Sequence, residues 1–224
     1  DMGFWEPLRF MNTVGGGIFF LQKYEPEKIP ILIIHGAGGN PVEFKDIIQS
    51  LDRNRFQPWV LFYPSGMRLG VVSKWVCETI STLRVQYKFE HLYIVAHSMG
   101  GLVARDFINR MIKSGSGDIL RFFVSMSTPW DGHTFAAKGV KQCPVVIPAW
   151  YDRSPGSPFI KSLFKTPLPS HLEYNLFFSY RGGWHITIPR NNDGTVSLRS
   201  ELFLPAQLSA GKVFGFDVSH GGIL

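Results

Sequence analysis

Only two cysteines, Cys77 and Cys143, occur among the 224 residues. That is too few for a disulfide framework or a cysteine-built zinc site. One bridge between them is not legible from spacing, and two free, buried thiols is the plainer reading. Consecutive runs of Lys and Arg are missing as well. The net charge of +6, from 23 basic against 17 acidic residues, is spread along the chain, which argues against a nucleic-acid partner. A balance of this size suits an ordinary solvated face, and equally a face that touches an anionic membrane surface. No stretch approaches the roughly 20 apolar residues of a spanning helix. His-x-x-x-His, Cys-x-x-Cys and carboxylate clusters are all absent, so no metal is expected. Gly15-Gly16-Gly17 and the Gly36–Gly39 stretch lack both the Lys-Ser/Thr of a phosphate loop and the Gly-x-Gly-x-x-Gly spacing, and no nucleotide or other cofactor is expected. The chain opens at Asp1 without a basic segment and apolar leader. That opening reads as a trimmed or processed form and leaves location undecided, secreted and cell-envelope sites included. Oligomeric state is equally undecided.

What is present is a core-forming composition. Hydrophobic residues make up 45% of the chain, with 23 Gly and 15 Pro, too apolar for disorder and enough for one large α/β domain. Short apolar runs alternate with helical spacing. Ile29-Pro30-Ile31-Leu32-Ile33-Ile34-His35 reads as a strand buried on both faces. Pro41 opens a helix with Val42, Phe44, Ile47, Ile48 and Leu51 as its stripe. Pro58–Pro64, His91–Ala96, Ile119–Met126, Tyr174–Tyr180 and Lys212–Val218 are further strands, with helices over 71–88 and Ser98–Met111. Such alternation predicts a mostly parallel sheet with helices on both faces. Residues 1–28 show neither period and read as an arm laid over the domain at 29–224. Residues 129–171 hold seven prolines and the aromatics Trp130, Trp150, Tyr151, Phe159 and Phe164. They read as an inserted cap, with Trp130, Trp150 and Phe159 as candidate substrate contacts.

The chemistry gathers at Ala96-His97-Ser98-Met99-Gly100-Gly101, where a strand hands over to a helix. A serine there sits on a tight turn that projects its hydroxyl above the sheet, and small residues two positions away on either side avoid collision. The helix N-terminus places the Met99 N–H toward a developing oxyanion. The duller reading of Ser98 is a helix N-cap.

Ala-His-Ser-Met-Gly-Gly-Leu-Val-Ala-Arg, after a hydrophobic strand, resembles the α/β-hydrolase lipases and esterases. The wording is especially similar to their lecithin:cholesterol acyltransferase-like and glycosylphosphatidylinositol inositol-deacylase-like branches. The first flanking position departs from the usual glycine, since Ala96 stands there. His35-Gly36-Ala37-Gly38-Gly39 looks like the family's oxyanion loop, which makes the Ala37 N–H a second donor beside Met99. Ser127-Thr128-Pro129-Trp130-Asp131-Gly132 looks like the stretch that begins the family's cap. The resemblance runs from about Ile29 onward and implies an α/β-hydrolase fold.

In that fold the nucleophile is followed by an acid and then a histidine. Asn191-Asn192-Asp193-Gly194-Thr195-Val196 is similar to the family's acid motif and nominates Asp193. His220, in Ser219-His220-Gly221-Gly222, stands after the last strand, where the family places its base. Asp193 before Gly also reads as a plain turn, and Asp131 and Asp217 are rival acids. His185 is the substitute base, while His35 and His97 match structural positions that bond backbone. His91, His133 and His171 read as surface or packing residues. The chain stops four residues after His220, where related folds continue into a final helix. The expectation is a serine hydrolase of carboxylic esters, esterase or lipase, taking a small-molecule ester or lipid through an acyl-enzyme. Phospholipase, acyltransferase, thioesterase or amidase chemistry and glycolipid deacylation fit the same residues, as does a lipid-binding protein that has lost catalysis.

Overall fold

The computed structural model describes residues 2–183 and 190–224. Among the described residues seven strands, β1 (Gly17–Phe20), β2 (Ile29–Ile34), β3 (Phe56–Phe62), β4 (Leu92–His97), β5 (Leu120–Met126), β6 (Glu173–Ser179) and β7 (Lys212–Phe216), form one sheet. Their order is β1-β3-β2-β4-β5-β6-β7. All neighbours pair in parallel except β1, which runs antiparallel to β3. The chain winds outward from β2 to β3, then crosses back to β4 on the other side of β2. Such a reversal leaves a crevice at the carboxyl ends of the strands, where ligands bind in open α/β sheets.

β2 explains why a continuous apolar run was needed. Ile31 and Ile33 face one side and pack with Phe44, Val60, Val124 and Met126. Leu32 and Ile34 face the other side. There they join Trp59 and Leu61, Val76 and Ile80 of α4 (Leu69–Tyr87), and Leu102 and Phe107 of α5 (Met99–Lys113). Alternate side chains thus feed two separate cores, so neither face tolerates a polar residue.

The segment before residue 29 is more than an arm. After two short helices, α1 (Met2–Trp5) and α2 (Pro7–Thr13), it supplies β1, whose Gly17–Phe20 pairs with Phe62–Trp59. Two-sided burial of β3 demands a partner there, which overrides the weak local pattern. Beyond β2, Asn40 and Glu43 form a capping box around a 3₁₀ turn at Pro41–Phe44 that leads into α3 (Lys45–Ser50). That tighter turn throws Val42 out of the expected stripe, to 74% exposure, while Phe44 is fully buried.

The cap segment is helical in three pieces: α6 (Thr134–Gln142), α7 (Pro148–Arg153) and α8 (Pro158–Leu163). The buried carboxylate of Asp152 ties α7 to the start of α4, accepting from Nε and Nη2 of Arg68 and from the Leu69 N–H at 2.7–3.0 Å. After β6 come α9 (Leu198–Glu201) and α10 (Leu204–Ser209). Both cysteines are free and half-buried.

Candidate active site

Ser98 stands between the end of β4 and the start of α5 with φ 53° and ψ −129°, a conformation a non-glycine residue adopts only under constraint. The constraint is visible. Its N–H donates to the Met126 carbonyl at 2.8 Å, and its carbonyl accepts from Gly101 at 3.0 Å. A Cβ on Gly100 would lie 2.5 Å from the Ile34 carbonyl oxygen, and one on Gly101 would lie 2.0 Å from Thr128 Oγ1. A Cβ on Gly36 would sit 2.9 Å from Ser98 Cβ. The glycines let two loops close on the serine. Its hydroxyl makes no capping hydrogen bond to α5, so the N-cap reading is set aside.

Ser98 opens into a cavity of about 660 Å³ that also receives Ala37, Met99, His133, Arg153 and His220, a volume suited to a small ligand. Ala37 and Met99, the two expected oxyanion donors, therefore border the same space. Met99 is the first residue of a helix, where N–H groups have no intrahelical acceptor. Glu43 and Asp46 also border the cavity and are exposed at its rim.

His220 comes from the loop after β7 and Asp193 from the loop after β6. Nδ1 of His220 donates to Oδ2 of Asp193 at 2.5 Å, and the His220 N–H donates to the Asp193 carbonyl at 2.8 Å. Asp193 is 0% exposed. Its Oδ1 accepts from the N–H groups of Thr195 and Val196 at 2.9 and 2.7 Å, and its Oδ2 also accepts from Ser179 Oγ at 3.0 Å. Burial pushes this carboxyl up, but the hydrogen bond and charge of His220 with the two amides outweigh it and hold the group below its ordinary value. Asp193 thus makes the turn with Gly194, at φ 99°, and meets the histidine as well. Between Ser98 Oγ and Nε2 of His220 there is no hydrogen bond among the described residues, although both residues border one cavity. In ligand-free sites such bonds are often long.

The rival acids lie elsewhere. Asp217 pairs with Arg181 on the surface at 3.0 Å, and Asp131 faces Arg199 at 3.9 Å. His185 lies outside the described residues. His97 donates from Nε2 to the His220 carbonyl at 2.9 Å and packs ring to ring at 4.7 Å, while burial lowers its pKa to about 4. His35 bonds the Gly36 carbonyl through Nδ1 and stacks on Tyr63. Both are neutral braces for the two loops.

Three aromatic candidates do not reach the site. Trp130 and Trp150 are 1% exposed and belong to the core, packing on Phe164 and Tyr174 and on Phe4 and Phe135 respectively. Phe159 borders a separate surface pocket with Arg68 and Tyr151. The cap turns both tryptophans inward, where they join Ile147, Ile160 and Leu163 in the core, while Phe135 and Tyr151 stay exposed.

Three polar residues belong to the neighbourhood without a sequence signal. His133, expected as a surface or packing residue, caps α6 by accepting the Phe135 N–H, donates from Nε2 to the Thr195 carbonyl at 2.8 Å, and borders the cavity. Burial, then the Arg153 charge, lowers its pKa to about 4. Arg153 ends α7 in the cavity wall. Glu201, in α9, is buried behind Asp193, with Oε2 accepting from the Ser179 N–H at 3.2 Å. Burial and then the Asp193 charge push its pKa up to about 9, so it is a neutral acid at pH 7.

A mostly parallel sheet, a strained serine at the carboxyl end of its central strand, and an acid and a histidine from the loops after β6 and β7 define the class: an α/β-hydrolase of the serine esterase and lipase type. The chain belongs to the family described as "Putative serine esterase (DUF676)", whose model matches residues 47–161, just over half of it. That membership shows the broad class and says nothing of either narrower branch. Among solved structures, the mature lipase BlEst2 of Bacillus licheniformis is similar with a TM-score of 0.68 at 17% identity, covering 92% of each chain. The lin2722 product of Listeria innocua is similar at 0.62 and 19% identity, covering 88% of each. The Bacillus cereus carboxylesterase is similar at 0.54 and 15% identity, covering 96% of this chain and 91% of that one. At such identities the likeness is one of fold. No curated protein matches the chain in sequence. Family and fold together support ester hydrolase activity.

Proposed function

We propose that the protein hydrolyses carboxylic esters through an acyl-enzyme on Ser98. The observation that carries this is one cavity holding a strained serine and a histidine whose Nδ1 is committed to a fully buried aspartate. With Nδ1–H given to Asp193, Nε2 is the atom free to take the serine proton. Oγ then attacks the ester carbonyl carbon, and the carbonyl electron pair moves onto oxygen, which the N–H groups of Ala37 and Met99 bind. Collapse of the tetrahedral species expels the alkoxide, which leaves with the proton from Nε2. Water, deprotonated by the same nitrogen, attacks the acyl group and releases the acid with Ser98 restored. Asp193 holds the tautomer and stabilises the imidazolium throughout. Each oxyanion donor is worth about 10²–10³ in rate.

The wall residues favour short or medium acyl groups, because the cap tryptophans that would have made an extended apolar tunnel face the core. Turnover of p-nitrophenyl esters from C2 to C16 ranks chain length, and a maximum at C12–C16 would overturn the short-chain reading. Ser98→Ala is expected to abolish both p-nitrophenol release and labelling by a fluorophosphonate while the protein stays folded. Wild-type rates in that variant would remove Ser98 from the mechanism.

A further inference from the structure

Among the described residues two arginines are buried, and they are treated differently. Arg105 in α5 donates from Nη1 to Asn109 Oδ1 and from Nη2 to the Thr166 carbonyl, so both ends of its fork have oxygen partners although its Nε has none. Arg153 is 7% exposed. Among the described residues its guanidinium makes one polar contact, Nη1 against Met99 Sδ at 3.5 Å, and its Nε, like that of Arg105, has no partner. The Phe4 ring lies 6.0 Å from the guanidinium carbon. Among the described residues no carboxylate pairs with it.

Its titratable neighbours do not compensate the charge. Tyr63 is held protonated by burial, His133 and His97 are neutral near pH 7, and Glu43 and Asp46 stand out at the rim. Burial lowers the Arg153 pKa to about 10, which leaves the group a cation at neutral pH. A thioether sulfur is a weak acceptor, and a buried cation without an anion is costly. Arg153 borders the cavity, and the residue it touches, Met99, follows the proposed nucleophile.

We propose that Arg153 binds an anionic oxygen group, carboxylate or phosphate, carried by the ester substrate close to its scissile bond. Resting on the ester-hydrolase reading, this narrows the substrate class to anionic esters. A guanidinium offers paired N–H donors that match either oxyanion bidentately. Carboxylate esters (half-esters of dicarboxylic acids) and phosphate-bearing acylglycerols share that chemistry.

The test is a ratio. For the carboxylate arm, kcat/KM is measured on mono-p-nitrophenyl glutarate and on its neutral methyl ester. For the phosphate arm it is measured on dibutyroyl glycerophosphate and on tributyrin. Wild type is expected to favour the anionic member of at least one pair, and the arm with the larger ratio names the source. Arg153→Met is expected to lower that ratio at least tenfold, and Arg153→Lys, which keeps charge without the fork, by less. Because each ratio is taken within one protein sample, partial misfolding cancels. Glutarate or inorganic phosphate is also expected to compete with substrate in wild type, whereas neutral glutaramide is not, a readout that needs no variant. An unchanged ratio, or equal slowing of both members as a purely structural or oxyanion role would give, overturns the proposal alone. Failure of wild type to turn over any of the four esters or to label with a fluorophosphonate overturns the ester-hydrolase reading, and this proposal with it.

Discussion

The two sides of the cavity are built by different means. On the serine side, backbone packing does the positioning: Gly36, Gly100 and Gly101 leave no room for a side chain, and Ser98 is held at φ 53° by bonds to Met126 and Gly101. On the histidine side a polar network does it. His220 is gripped by Asp193 and His97, Asp193 by Ser179, Thr195 and Val196, and Ser179 in turn by Ser127 and Glu201. Steric positioning fails all at once, whereas a hydrogen-bonded network loosens by degrees and answers to pH.

The largest expected effect strikes the network at its centre. Asp193→Asn keeps the shape of the side chain but presents the wrong donor pattern to Nδ1, and kcat is expected to fall about 10³–10⁴-fold. A loss below tenfold in steady-state assays on a short-chain ester would mean that another group orients His220. On the serine side, Gly100→Ala would press a methyl group against the Ile34 and His35 carbonyl oxygens at 2.5 and 2.6 Å. Overpacking of this kind costs roughly 1–3 kcal/mol, and activity should fall with it as the elbow shifts. Urea unfolding gives the first number, and a wild-type midpoint would show that the elbow yields.

The smallest effect on turnover is the most diagnostic of the network. Glu201 has a folded pKa of about 9 against an ordinary 4.5, so the folded state holds a proton that the unfolded chain releases. Its contribution to stability is whole below pH 4.5 and declines as pH rises toward 9, at up to roughly 1.4 kcal/mol per unit. Asp193 acts in the opposite sense, since its lowered pKa stabilises the fold above the ordinary carboxylate range and is lost as pH falls. Glu201→Gln should therefore flatten the stability profile between pH 5 and 9 and raise the alkaline end. A profile that keeps the wild-type slope would show that Glu201 ionises freely.

Much of this was legible before any coordinate. The β2 run and the Ala96–Gly101 elbow are local patterns whose meaning follows from backbone sterics over a few residues, whereas the Gly36–Gly39 loop was legible only through the family resemblance. Residues 1–28 hid a strand because its reason for existing, the unpaired edge of β3, lies some 40 positions away in sequence. The cap misled in a specific way: tryptophans among prolines look exposed, yet Trp130 and Trp150 are buried together with Ile147, Ile160 and Leu163 of the same segment.

Glu201, His133 and Arg153 carried no pattern at all. Nothing in Leu198–Glu201 distinguishes a surface carboxylate from one locked beneath Asp193, since burial and partner both come from other elements. The sequence alone determined the alternation of strands and helices from β2 to β5, the glycine-lined serine turn and the residue types available for acid and base. Only tertiary structure decided which charges lost their water and what they then faced, because desolvation is a property of the surroundings and is not encoded in any short run of residues.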